Sequence, residues 1–190
     1  EFDGTEAGLD EDADRAEACC FEAGATEVRR ATSEEERLAL WRGRKKAFGA
    51  MGRIAPDLLV QDATVPRTRL PEVLARIAEI AVEYDLTIAN VFHAGDGNLH
   101  PNILFDRDDA DQLERVERAS REIMKLCVSV GGTITGEHGV GVDKRGYMDL
   151  VHNEVELDML RRVRSVFDPD GLWNPDKVIP PVASGSPAEA

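Results

Sequence analysis

Thr87-Ile88-Ala89-Asn90-Val91-Phe92-His93-Ala94-Gly95-Asp96-Gly97-Asn98-Leu99-His100-Pro101-Asn102-Ile103-Leu104-Phe105 is the stretch that decides the fold. Thr87 to Phe92 and Leu99 to Phe105 are β-rich runs, and Asp96-Gly97 between them is a strong two-residue hairpin signal. With Asp96 and Gly97 as the central turn residues, Gly95 pairs with Asn98, Ala94 with Leu99, and His93 with His100. Opposed residues of an antiparallel pair share one sheet face, with Cβ atoms about 4.5–5.5 Å apart. That separation suits two imidazoles gripping one metal ion. A single histidine there reads most simply as a turn cap or core residue, whereas two opposed histidines favour a ligand pair.

Upstream, Leu58 to Val65 is extended and closes at Pro66. Leu70, Val73, Leu74, Ile77, Ile80 and Ala81 then follow a three-four rhythm, the mark of a helix with one core face. Downstream, Leu113, Val116, Ile123, Cys127 and Val130 predict a long amphipathic helix over ~108–130. A glycine-dense loop, a helix around 153–166 and a proline-containing coil follow, and the small polar tail 182–190 is expected to be disordered. Toward the start, a helix is expected over ~10–23 with Gly24 as its C-cap, then a short strand from Thr26 to Arg30. Ser33-Glu34-Glu35-Glu36 is a capping box opening a helix that carries Leu38, Trp41 and Phe48. There is no internal repeat. The pattern is α+β: an antiparallel sheet with helices packed on one face, plus a helical C-terminal part.

Aromatic residues make up only 5% of the 190 residues, so aliphatic side chains must supply the core. The net charge of −14 argues against a nucleic-acid partner and against unaided binding to anionic membranes. An anionic substrate therefore needs a local patch of cations. No apolar run approaches the ~20 residues of a transmembrane segment. Cys19, Cys20 and Cys127 lack metal-type spacing and read as reduced thiols of a cytoplasmic protein.

The second informative stretch, Gly131-Gly132-Thr133-Ile134-Thr135-Gly136-Glu137-His138-Gly139-Val140-Gly141, has five glycines in eleven residues. Such a backbone can approach a ligand closely. In an extended segment Glu137 and His138 point to opposite sides and serve neighbouring, distinct tasks. A carboxylate joining two imidazoles suits zinc or manganese, with positions left open for substrate. His138 is then available as a base, since histidine titrates near neutrality. A flexible surface loop is the plainer alternative. His152 lies outside both motifs and reads as a surface residue.

These two segments resemble the signature motifs of the FAD-linked oxidase C-terminal domain family, which includes glycolate oxidase, D-lactate dehydrogenase and D-2-hydroxyglutarate dehydrogenase branches. Further similarity lies in Leu40-Trp41-Arg42-Gly43-Arg44, Asp62-Ala63-Thr64-Val65-Pro66 and Phe167-Asp168-Pro169-Asp170-Gly171-Leu172-Trp173-Asn174-Pro175. The stretches Trp41 to Pro56 and Asn90 to His100 look most like the glycolate oxidase subunit. The resemblance implies a ferredoxin-like substrate (cap) domain over 1–181, cut short at its start. It further implies that His93, His100 and Glu137 bind a divalent metal, zinc or manganese, and that His138 is the catalytic base. Arg44 would pair with the substrate carboxylate, Asn102 would contact substrate, and Asn174 would lie against the flavin ring. FAD would be held mainly by an N-terminal domain that this stretch does not contain, and Glu1 to Gly4 resembles the end of the first strand of the family's substrate domain. The implied activity is FAD-dependent oxidation of a small 2-hydroxy acid, glycolate or D-lactate, to the 2-oxo acid. Other oxidase subunits or an electron acceptor are the expected partners, and any membrane association would be peripheral, through them.

Two departures from the family pattern matter. Asp176 stands where glycine is usual after Asn-Pro. Gln61 lies near a lysine position of the hydroxyglutarate branch, which favours a monocarboxylate substrate. The competing readings are a metal-dependent hydrolase, although no His-Glu-x-x-His helix is present, and a non-catalytic subunit of such an oxidoreductase.

Overall fold

The computed structural model describes residues 2 and 4–181. Its elements run α1 (Glu6–Glu22), α2 (Glu34–Met51), β1 (Asp57–Val60), β2 (Ala63–Thr64), α3 (Leu70–Glu83), β3 (Thr87–His93), β4 (Asn98–Phe105), α4 (Ala110–Ser129) and α5 (Glu154–Phe167). The expected α+β class is what forms. The tail 182–190 lies outside the described residues, as do Glu1 and Asp3. No described helix is long and apolar enough to cross a membrane.

The chain divides into two compact units, Glu1–Phe48 and Gly49–Ala190. In the first unit none of the described residues is buried, and Phe21, Trp41 and Phe48 remain exposed. The strand expected at Thr26 to Arg30 does not form. A lone strand leaves its backbone groups unpaired, and here Arg30 instead reaches back to Asp14 and Glu17 of α1. At the start of α2, Ser33 Oγ accepts from Glu36 N at 3.2 Å. The reciprocal arm of the capping box lands one residue early, on the Thr32 N–H (2.8 Å) and hydroxyl (2.7 Å).

The second unit is built on β4. It pairs antiparallel with β3 on one side and with β1 and β2 on the other. β1 and β2 keep the same register against β4, so they form one edge strand interrupted at Gln61–Asp62. The interruption has a covalent cause. Gln61 N donates to Pro101 O at 2.9 Å, but proline has no N–H to return to the Gln61 carbonyl. The edge strand and β3 both oppose β4 and are therefore parallel to each other, with α3 as the crossover between them.

Pleat alternation sorts β4 into two faces. Leu99, Ile103 and Phe105 point to one side, where Val73, Ile77 and Ile80 of α3 and Val116, Ile123 and Met124 of α4 complete the core. The two helices present these residues at three-four spacing, and α4 starts cleanly because Asp109 accepts from Gln112 N at 3.1 Å. Cys127 belongs to this core, and burial pushes its thiol up to about 12. Cys19 and Cys20 are exposed free thiols. Asn98, His100 and Asn102 occupy the other face of β4 and are also buried. α5 is capped by Asn153 and Glu156, a complete capping box that the sequence reading did not identify.

The hairpin register differs from expectation. His93 pairs with Asn98, and His100 pairs with Val91. The connection is a four-residue turn, 94–97, rather than a two-residue Asp-Gly turn. Gly97 explains it: at φ +73° it lies so close to Val65 that an added Cβ would sit 2.1 Å from the Val65 carbonyl oxygen. Its own carbonyl accepts from Val65 N at 2.9 Å. Packing against the edge strand thus settles the turn. Because the pairing slips by two residues, parity survives and His93 still shares a face with His100.

Candidate functional site

The site forms where the glycine-dense loop folds over the polar face of the sheet. Thr133 pairs with Thr64 through two backbone hydrogen bonds, 2.9 and 3.2 Å, which lay the loop along the open edge of β2. Ile134 is buried in the core and pins it there. From that point the chain bends over residues 136–138 instead of running extended. The expectation that Glu137 and His138 point to opposite sides is therefore corrected: His138 Nε2 lies 3.7 Å from Glu137 Oε1.

Asp62 causes the bend. Its carboxylate is fully buried and accepts from the Thr135 hydroxyl (2.8 Å) and the backbone N–H groups of Gly136 (3.0 Å), Glu137 (3.2 Å) and His138 (3.0 Å). Lys144 Nζ closes the set at 2.9 Å and also donates to the Asp62 carbonyl. Burial by itself raises the carboxyl pKa, but the Lys144 ammonium, the His138 N–H and the Thr135 hydroxyl outweigh it and hold the group well below the usual carboxylate range. Gly136 has to be glycine, since a Cβ there would meet Asn98 Oδ1 and Thr64 Oγ1, each at 2.5 Å.

His100 is oriented from the opposite side. Its Nδ1 lies 3.2 Å from the Gln61 carbonyl, the group that Pro101 leaves without a ladder donor. A carbonyl only accepts, so Nδ1 carries the hydrogen and Nε2 is turned outward. That Nε2 lies 3.0 Å from Glu137 Oε1. The ring stacks on His138 at 5.0 Å between centroids and meets His93 edge-on at 5.6 Å. One donor atom from each of Asp62, His100, Glu137 and His138 lies within 4.8 Å of the others. Imidazole and carboxylate donors at this spacing could hold a divalent cation. The structure does not bring His93 into that group; it leaves the ring exposed beside His100.

The remaining expected residues are dispersed. Asn102 shares the face of His100 but is fully buried. Its Nδ2 donates to the carbonyls of Ala89 (3.0 Å) and His100 (2.6 Å), and its Oδ1 has no partner among the described residues. Gln61 points to the helical face, donating to Ser120 Oγ at 2.6 Å, so the site-facing neighbours of Asp62 on the edge strand are Val60 and Thr64. Arg44 belongs to the other compact unit, half-buried on α2. Asn174 sits in an exposed turn at φ +45°, where its Oδ1 accepts from Lys177 Nζ at 3.2 Å and its carbonyl from Arg164 at 3.2 Å. That turn presents Leu172 and Trp173, the latter 62% exposed, and suits contact with a flat ring system. His152 is half-buried and lies 3.7 Å from Glu156.

A cavity of about 180 Å³ adjoins His138, with Val60, Val140, Lys144 and Tyr147 in its wall. Asp62 as loop anchor and Lys144 as its counter-ion escaped the sequence reading. The available signal was the placement of Asp62 on the strand face that carries His100, with the sheet interrupted beside it.

Comparison with known proteins identifies the family. The family described as FAD linked oxidases, C-terminal domain, matches residues 1–178. The glycolate oxidase subunit GlcD of Escherichia coli K12 is 49% identical over 180 residues, covering 95% of this chain and 36% of the relative. GlcD of Bacillus subtilis is 39% identical, over 94% of this chain and 38% of the relative. A mitochondrial D-lactate dehydrogenase [cytochrome] of Arabidopsis thaliana is 32% identical, over 95% and 32%. The chain thus spans about a third of the length of these curated relatives.

Proposed function

This chain belongs to the C-terminal domain family of FAD linked oxidases, and we propose that it is the substrate-side half of an FAD-dependent 2-hydroxy-acid oxidase or dehydrogenase of the glycolate or D-lactate type. The observation that carries the reading is His100 Nε2 set 3.0 Å from Glu137 with His138 stacked alongside, inside a domain that matches glycolate oxidase subunits over nearly its whole length.

In this reading His100 and Glu137 hold the divalent cation, and His93 joins them from its place edge-on to His100, 5.6 Å between ring centroids. Asp62 is left out because its acceptor capacity is spent on the loop. When bound, the cation supplies Lewis-acid polarisation of the substrate and the flavin supplies the electron acceptor. His138, half-exposed beside the cavity, takes the proton from the substrate hydroxyl on a ring nitrogen and holds it while the 2-oxo acid forms. The family resemblance assigns the substrate carboxylate to Arg44, whose guanidinium fork suits that task. Asn102 fixes the strand that carries His100 and borders the substrate. Asn174 and its turn contact the flavin ring. The small cavity, with Val60 on its wall and no cation at Gln61, favours a short monocarboxylate. The GlcD relatives are named as subunits, which favours assembly with further polypeptides.

The test is His138→Ala in the complete flavin-loaded protein. Turnover of glycolate or D-lactate is expected to fall by about 10²-fold or more, with bound metal unchanged. Retained turnover removes His138 as the base. Loss of the metal instead makes His138 a ligand.

A further inference from the structure

We propose that Asp62 is the positioning residue of the metal centre: its carboxylate, backed by Lys144, sets Glu137 and His138 in place and does not itself ligate the cation. The inference rests on the reading of His100 and Glu137 as ligands. Oδ2 of Asp62 already accepts from Thr135 Oγ1, Lys144 Nζ and the N–H groups of Gly136, Glu137 and His138 at 2.8–3.2 Å. A carboxylate offers about four acceptor positions over both oxygens, so Oδ2 has none left for a cation.

The other oxygen faces the wrong edge of the imidazole. Oδ1 lies 3.9 Å from His100 Nδ1, the nitrogen committed to the Gln61 carbonyl. Glu137 Oε1 lies 3.0 Å from Nε2, the other ring nitrogen. A cation held by Nε2 and Glu137 therefore meets the ring at the nitrogen that Asp62 does not face. What Asp62 does contact is the backbone of both residues that bear the chemistry. Successive N–H groups converging on one anion form a nest, and here the anion is supplied by the protein. An amide cannot replace it: Asp62→Asn would turn an NH2 toward converging N–H donors or leave Lys144 buried without its counter-charge.

The experiment uses the complete protein and Mn²⁺ or Zn²⁺ as probe. Affinity is measured by titration calorimetry for wild type, Asp62→Asn and Thr135→Val. Removing an outer partner of a ligand typically costs about 10–100-fold in metal affinity, and Asp62→Asn is expected within that range. Thr135→Val keeps the charge, deletes one donor and is the variant that still folds if Asp62→Asn does not; it is expected to lose less affinity. X-ray absorption of the zinc-loaded proteins should show the same ligand set in wild type and in whichever variant folds. Hydrogen exchange at the amides of 136–138 should accelerate in Asp62→Asn, or in Thr135→Val to a smaller degree. An oxygen ligand missing from Asp62→Asn, or wild-type affinity and protection in every folded variant, overturns the proposal. If wild type binds neither ion, the ligand reading fails by itself, and exchange at 136–138 still decides whether Asp62 positions the loop.

Discussion

The two faces of β4 are equally buried, yet they are buried by opposite means. On one face Leu99, Ile103 and Phe105 lose their water to the aliphatic side chains of α3 and α4. On the other, Asn98, His100 and Asn102 lose theirs to neighbouring strands and to a loop that an internal ion pair holds down. The first face is stabilised by area and shape, which many side chains share. The second depends on a few directed bonds, several of which orient His100 or the backbone of residues 136–138. Burial alone therefore does not distinguish structural from chemical residues in this sheet; the kind of covering does.

The widest test of that division is Ile103→Ala. Ile103 is fully buried between the helices, and its truncation should cost about 2–5 kcal/mol of stability. Denaturant unfolding measures the loss, and calorimetry on the remaining folded protein should return wild-type metal affinity. An unmoved unfolding midpoint combined with lost metal binding would show that the helical face is part of the site.

Gly136→Ala makes the converse test on the polar face. The new Cβ would press on Asn98 Oδ1 and Thr64 Oγ1 at 2.5 Å, and overpacking of this kind costs about 1–3 kcal/mol. The loop can escape by lifting, which carries Glu137 and His138 away from His100. A modest fall in stability with a large fall in metal affinity is thus expected. Equal losses in both, read by the same two measurements, would mean that the loop and the core unfold as one and would blur the contrast.

The sequence made the apolar face legible because its signals are local: three-four spacing in α3 and α4, and β-rich runs in β3 and β4. It also revealed that His93 and His100 share a face. It misplaced their pairing because the turn is decided by Val65, thirty-two positions before Gly97 along the chain, and not by Asp96-Gly97 alone. The site face was legible only as a set of residue types. Its architecture lies in bonds between Asp62 and residues 73 to 76 positions away, and no periodicity reports such a contact. The strand expected at Thr26 to Arg30 failed for the same reason in reverse, since its local propensity found no partner. Arg44 is read correctly onto a helix, because that signal too is local.

The smallest expected effect concerns the turn after α5, which neither covering protects. Asp176 adopts φ +61° where glycine is the residue of choice. Its carbonyl accepts from Arg145, an interaction that any residue at this position retains. Its carboxylate is exposed and lies 3.8 Å from the same guanidinium, and an exposed pair of this kind contributes at most about 1 kcal/mol. Asp176→Gly removes the left-handed strain while giving up that weak pair and some chain stiffness, so stability should stay within about 1 kcal/mol of wild type. Metal affinity should not move, because the backbone hydrogen bond that joins the turn to the site loop is Val178 N donating to the Gly141 carbonyl at 2.7 Å, beyond Glu137 and His138 in the chain. A thermal melt and one titration decide it. If affinity falls while the melting temperature holds, that single backbone bond transmits the shape of the turn to the loop of Glu137 and His138, and the polar face extends further along the chain than its buried residues indicate.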